Sequence, residues 1–308
     1  MAKRGILQTR AEYVLGRSLL AVLGILPRPV ALNLGVLTGR LGYILAGRLR
    51  RTGERNLGIA FPELSPGERQ KLLRESFESL GRMLAEFSQF PKLTVDQLRG
   101  LIEYSPRELD YVRQAEEKGR GIIFLTGHIG SWEILSFGWS ALEYPISFLV
   151  RPLDNPLLEE LVERTRTRFG NRAIDKKSAA KQALRLLREG GTLGILSDLN
   201  TQEFEGVFVP FFGKLACTTA GIATLALKTD AAVIPTWAIW DRSKGRYCFH
   251  AAPALEVVRT GDHKKDVEVN TGRFAAAVEK IVRAYPDQWL WIHKRWKTRP
   301  PGEVDLYE

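Results

Sequence analysis

The chain has 308 residues, 44% apolar and 26% charged, and carries a net charge of +10. That length is enough to bury a sizeable core, and the composition excludes a disordered or fibrous chain. Cys217 and Cys248 form no CxxC pair and no metal-ligand spacing, which argues against a disulfide framework and for a reducing compartment.

The first segment is the most basic. From Met1 to Asn56, ten Lys or Arg side chains stand against only Glu12 and Glu54. The same stretch is apolar ("YVLGRSLLAVLGIL", "ALNLGVLTGRLGYILAG"), which suits an anionic membrane surface better than nucleic acid, whose binding arms are polar. No nucleic-acid partner is expected. A bilayer span needs about 20 apolar residues, but the uncharged run Ser18–Pro27 has ten, and Arg17, Arg28 and Arg40 interrupt the rest. Two amphipathic helices lying on a membrane are therefore predicted for residues 1–56, with two soluble helices packed on the main domain as the alternative. No small-residue cleavage site follows, so a signal peptide is not expected. The main domain is assigned to residues 57–308.

Next, "AFPELSPGER" reads as a turn in which Ser65 caps a helix, with Pro66 at its first position and Glu68 closing a capping box. Apolar residues from Leu72 to Phe87 recur at helical spacing, giving one buried face to about Phe90. From about Leu101 the pattern becomes strand–helix alternation. "GIIFLTG" (121–127) reads as a buried strand, 131–142 as a helix, "PISFLV" as a strand and 156–169 as a helix. A helix over 178–189 stops at Gly190-Gly191, and "TLGILSD" is a further buried strand. Residues 218–229 read as helical, "AVIPTWAIW" and "RYCFHAAP" as a hairpin, and 267–285 as a last long helix. The fold class is α/β: a mostly parallel or mixed central sheet covered by helices, preceded by an amphipathic helical arm.

Ligands gather at the C-terminal ends of such strands, and two motifs sit there. In "TGHIGSWE", His128 follows a strand and Glu133 comes five residues later, as a helix begins. An imidazole there can take a proton from an alcohol, and a carboxylate on its other nitrogen fixes the tautomer. Five residues on one helix would not share a face, so the pairing requires His128 to precede the helix, which Gly127 and Gly130 permit. A structural histidine beside a solvated glutamate fits the same pattern. Main-chain N–H groups around Gly130 and Ser131 are candidates for stabilising an oxyanion; Ser131 as a nucleophile is the weaker option. The second motif is "LSDLNTQEFEGVFVPFFGKLACTTAG". Asp198 ends a strand, and the apolar stretch through Phe211 and Phe212 reads either as a wall for an acyl chain, as membrane contact or as core. Arg151, at the end of "PISFLV", is a candidate phosphate ligand. "DQWLWIHKRWKTRP" suits an interfacial belt of tryptophans and cations, or a basic tail with core tryptophans. HExxH, GxSxG and GxGxxG are absent, and the four scattered histidines make no metal site, so no metal or cofactor is expected.

"TGHIGSWE" resembles the H-x4-D/E box of the lysophospholipid acyltransferase superfamily. More narrowly, "RNLGIAFPELSPGER", "GHIGSWE", "RPLDNP", the Asp198 segment and "YPDQWLWIHKRWKTRP" together resemble the bacterial lipid A biosynthesis (late) acyltransferases, in the right order from Arg55 to Pro300. The resemblance implies His128 as the catalytic histidine, Glu133 as its acidic partner, and Arg151 and Asp198 as further active-site residues. It implies an acyl carrier protein or coenzyme A thioester as donor, a membrane lipid hydroxyl as acceptor and no metal. The expected location is the cytoplasmic face of the bacterial inner membrane, peripheral or N-terminally anchored. A glycolipid such as a lipid A precursor is the first acceptor; a phosphatidylinositol mannoside or a lysophospholipid follows. A non-catalytic membrane-binding protein on the same fold is the rival from another class. Many relatives begin with a clear transmembrane helix, from which this arginine-interrupted arm departs.

Overall fold

The computed structural model describes residues 5–149, 153–174 and 178–308. Among them, a seven-stranded sheet is ordered β1-β9-β8-β2-β5-β3-β4. In chain order its strands are β1 (Ile102–Tyr104), β2 (Ile122–Thr126), β3 (Ile146–Leu149), β4 (Arg172–Ile174), β5 (Thr192–Leu196), β8 (Ala232–Asp241) and β9 (Arg246–Ala251). All neighbours run parallel except the β8–β9 hairpin. The central strand β2 is buried along its whole length, which is why its sequence is a continuous apolar run. A separate antiparallel pair, β6 (Gly206–Phe211) and β7 (Lys214–Thr219), lies between β5 and β8 in the chain.

Helices α4 (Pro66–Gln89), α7 (Trp132–Ala141), α8 (Pro156–Arg166), α9 (Ala179–Arg188), α10 (Gly221–Thr229) and α11 (His263–Ala284) cover the sheet together with the shorter α5 (Val95–Leu101) and α6 (Pro106–Glu116). The expected capping box starts α4: Ser65 Oγ accepts from the Glu68 amide, and the Glu68 carboxylate accepts from the Ser65 amide at 2.8 Å. The sequence reading missed α5, β1, α6 and β4, which are short and carry little periodicity. It assigned no strands to the apolar stretch through Phe211 and Phe212, and read 218–229 as helix throughout; β6 and β7 pair there, Thr218 and Thr219 complete β7, and α10 begins at Gly221.

The N-terminal segment holds three helices rather than two: α1 (Ile6–Ile25), α2 (Arg28–Leu45) and α3 (Gly47–Ala60). The boundary set after Asn56 therefore falls inside α3, where Asn56 and Leu57 are both buried. Asn56 donates to the carbonyls of Trp291 and His293 at 2.6 Å and accepts from Tyr307, tying this segment to the chain's last turns. α2 packs on α4 at closest approach: a Cβ on Gly81 would lie 2.0 Å from the Gly35 carbonyl oxygen. The outer faces of α1 and α2 expose large apolar side chains, among them Leu7, Leu15, Ile25, Leu37, Ile44 and Leu45. No single helix among the described residues is long and apolar enough to cross a membrane; α2 with α3 meets the test of length and composition only as a pair bent by 89°.

Candidate active site

β2 and β5 are parallel neighbours with Thr126 paired to Leu196. His128 and Asp198 each lie two residues beyond that last pair, so the sheet register brings them side by side. His128 Nδ1 is 2.8 Å from Asp198 Oδ1, while Asp198 Oδ2 accepts the His128 amide and the Trp289 indole N–H, both at 2.7 Å. Asp198 is buried. Burial by itself raises a carboxyl pKa, but the His128 ring and the N–H donors of His128 and Trp289 outweigh it and hold the group at about 2. An ionised Asp198 makes Nδ1 the protonated nitrogen, which leaves the Nε2 lone pair free. Nε2 has no hydrogen-bond partner among the described residues, and the side chain keeps 19% exposure. The Trp132 ring sets its edge against the imidazole, with centroids 4.9 Å apart.

Glu133 does not brace this ring. It occupies the first turn of α7, is buried, and forms a bidentate ion pair with Arg166 at the end of α8, the Nε–Oε2 contact being 3.0 Å. His128 does precede the helix, as the reading required. The carboxylate on its Nδ1 comes from the adjacent strand end, because sheet neighbours stand about 5 Å apart. Asp198, expected as a further active-site residue, spends both oxygens on His128 and Trp289.

The oxyanion assignment also changes. The Gly130 amide donates to the Gln288 carbonyl at 2.9 Å and the Ser131 amide to the Ala238 carbonyl at 3.0 Å, so neither N–H is available to a substrate. Ser131 is fully buried as the N-cap of α7, its Oγ accepting from the Ile134 amide, which removes it as a nucleophile. Gly130 has a φ of +58°, and a Cβ there would lie 1.9 Å from the Ala238 carbonyl oxygen. Leu290 donates back to the His128 carbonyl at 3.0 Å, so the segment after Pro286 clamps the histidine loop from the other side.

Phe211 and Phe212 line no open groove. Both are buried: Phe211 packs on Trp289 and Trp296, and Phe212 on Phe61 and Trp291. The tryptophans of the last motif are core as well, since Trp289, Trp291 and Trp296 have at most 1% exposure, which overturns the interfacial belt. Arg295 is fully buried among them, donating to the Leu199 and Cys217 carbonyls and to Thr218 Oγ1. Its burial draws the guanidinium pKa down to about 10, against the pull of the Asp198 charge. Arg151 lies outside the described residues.

Sequence reasoning missed three participants. Arg166 and Trp289 reach the site only through tertiary contacts; no local pattern marks Arg166, and Trp289 was read only as part of a belt or core motif. His293 accepts the Asn200 amide on Nε2 at 2.9 Å, and burial lowers its pKa to about 4, so it stands neutral behind the loop after β5. Among the described residues no group of three or more His, Cys, Asp or Glu side chains is placed to hold a metal ion.

The family model described as bacterial lipid A biosynthesis acyltransferase matches residues 3–298. The chain belongs to this family. It is 28% identical over 283 residues to the lipid A biosynthesis palmitoleoyltransferase of Escherichia coli (strain K12), covering 92% of this chain and 90% of the relative. It is 28% identical over 288 residues to the lauroyltransferase of the same organism, with the same coverage. The corresponding myristoyltransferase is 25% identical over 281 residues, covering 91% and 84%.

Proposed function

We propose that this acyltransferase moves a fatty acyl group from a carrier thioester, on acyl carrier protein or coenzyme A, to a hydroxyl of a lipid A precursor, with His128 as general base. The observation that carries this reading is the His128–Asp198 contact, which occupies Nδ1 and leaves Nε2 without a partner among the described residues, at the end of a buried strand. The relatives' names, lauroyl-, palmitoleoyl- and myristoyltransferase of lipid A biosynthesis, support the acceptor class.

In the reaction, Nε2 takes the hydroxyl proton as the acceptor oxygen attacks the thioester carbonyl carbon. The C–O bond forms and the tetrahedral intermediate expels the sulfur. The imidazolium, stabilised by the Asp198 carboxylate, returns its proton to the leaving thiolate. Ester and thiol are the products, and no acyl-enzyme forms. Glu133 and Arg166 act as a positioning pair, holding the start of α7 against the end of α8.

The exposed apolar faces of α1 and α2, with Arg10, Arg17, Arg40 and Arg48, support attachment to an anionic membrane surface rather than a single-helix span. α1 also touches the catalytic scaffold: Asn155, the N-cap of α8, donates to the Thr9 carbonyl at 2.8 Å, and α8 ends at Arg166.

The test is incubation of the full chain with labelled acyl carrier protein or coenzyme A thioester and a panel of lipid A precursor, phosphatidylinositol mannoside and lysophospholipid, read by product mass. Acylated lipid A precursor from the wild type, absent with His128→Ala, is the expected result. Thioester hydrolysis without any acylated lipid, or equal transfer by His128→Ala, rejects the reading.

A further inference from the structure

Two α2–α4 ion pairs and two ion pairs of Arg242, in the turn after β8, leave one cation near α4 over among the described residues. Glu78 is taken by Arg40 at 2.8 Å, buried Glu86 by Arg28, and Asp287 and Glu75 by Arg242 at 3.3 and 3.4 Å. Arg82 lies among these carboxylates, yet no acceptor is within hydrogen-bond distance of its guanidinium among the described residues. Its one close partner is the Trp240 ring, 4.9 Å below it. Arg28 stands over the same ring at 5.9 Å. Burial lowers the Arg82 pKa, as for a cation desolvated without a direct counter-ion.

These groups border a cavity of about 350 Å³, lined by Arg28, Pro29, Asn33, Val36, Arg82 and Trp240 among others. An Arg82 guanidinium with no hydrogen-bonded acceptor among the described residues, at the wall of a cavity, suits an anion with several acceptor oxygens. Pro29, Asn33 and Val36 form one stripe of α2. The next stripe round the helix holds Val30, Leu34, Leu37 and Leu41, all exposed and apolar. A phosphate in the cavity therefore has apolar surface directly beside it, which a soluble phosphate ester would not use and a lipid would.

We infer that Arg82, with Arg28 and Asn33 over the Trp240 face, binds the phosphodiester headgroup of an anionic glycerophospholipid whose chains lie along the exposed stripe of α2. This rests on the membrane reading above. It adds a headgroup site that fixes how α2 sits on the bilayer.

The experiment uses the full chain in neutral detergent micelles, titrated with dioleoyl phosphatidylglycerol, with dioleoylglycerol and with glycerol 3-phosphate, and read by native mass spectrometry of the adducts. Saturable binding of phosphatidylglycerol alone is expected. Arg82→Gln removes the cation, and Asn33→Asp sets a carboxylate at the exposed rim, where the fold tolerates it. Each should weaken binding by about five-fold or more, while Arg188→Gln, an equal loss of charge at the exposed end of α9, should not. Either pocket variant binding like the wild type, an equal loss in Arg188→Gln, or equally tight binding of glycerol 3-phosphate would overturn the site. Binding of the wild type to vesicles of phosphatidylcholine with one-third phosphatidylglycerol is measured separately: its failure sinks the membrane reading, whereas unchanged titrations of the variants sink only the Arg82 site.

Discussion

Asp198 Oδ1 and His128 Nδ1 face each other at 2.8 Å because both residues sit two positions past a matched pair of strand ends. The replacement Asp198→Asn keeps the shape but not the proton order. A single amide oxygen can still accept from the His128 amide and the Trp289 indole, which turns the NH₂ group toward the ring. Nδ1 must then accept, the proton moves to Nε2, and the base is lost. A fall in kcat of about 10³–10⁴ with little change in KM is expected, by analogy with the same exchange in hydrolase triads. Steady-state kinetics check it; activity within ten-fold of wild type would show that Asp198 does not set the tautomer.

Glu133 and Arg166 make a different prediction. Truncating one partner of a nearly buried ion pair strands the other charge, at a cost of about 3 kcal/mol. Glu133→Gln should thus lower stability by roughly that amount, and Glu133→Leu with Arg166→Met should lower it by less than the sum of the single changes. Urea denaturation of the singles and the double forms the cycle. Additive losses would mean that the pair is not coupled.

Gly130→Ala introduces a Cβ 1.9 Å from a carbonyl oxygen at a residue with positive φ. The histidine loop must shift, which breaks the bonds to Gln288 and Ala238. A stability loss of about 3 kcal/mol or more, with loss of turnover, is expected. A melting temperature equal to that of the wild type would contradict the described loop.

His293 gives the pH dependence. Its folded pKa, about 4, lies below the unfolded value of 6.5. The unfolded state therefore binds the extra proton between those values. The stability His293 contributes is fully present above pH 6.5 and is lost as pH falls toward 4. The slope is at most about 1.4 kcal/mol per pH unit, reduced by partial solvent screening. His293→Gln keeps an acceptor for the Asn200 amide without a titrating group, so its stability should fall less than the wild type's between pH 7 and pH 5 in denaturant titrations. Parallel losses in the two proteins would place the acid sensitivity elsewhere.

Much of the architecture was legible in the chain. The buried strands β2 and β5 are continuous apolar runs, α4 announces itself by Ser65, Pro66 and Glu68, and the β8–β9 hairpin by its turn. These signals are local, since periodicity and capping act over a few residues. His128 was legible for the same reason, as a histidine directly after a buried strand. What sequence alone could not decide was partnership. Glu133 is five residues from His128 and Asp198 is seventy away, yet register between neighbouring strands, not distance along the chain, put Asp198 on the ring and sent Glu133 to Arg166. The same holds for the aromatic segments: composition shows that Phe211, Trp289 and Trp296 are apolar and large, but only the packing of the β6–β7 pair against the chain's last turns makes them core rather than a lipid-facing wall. Local chemistry fixed which residues were capable of the reaction; long-range strand order fixed which of them meet.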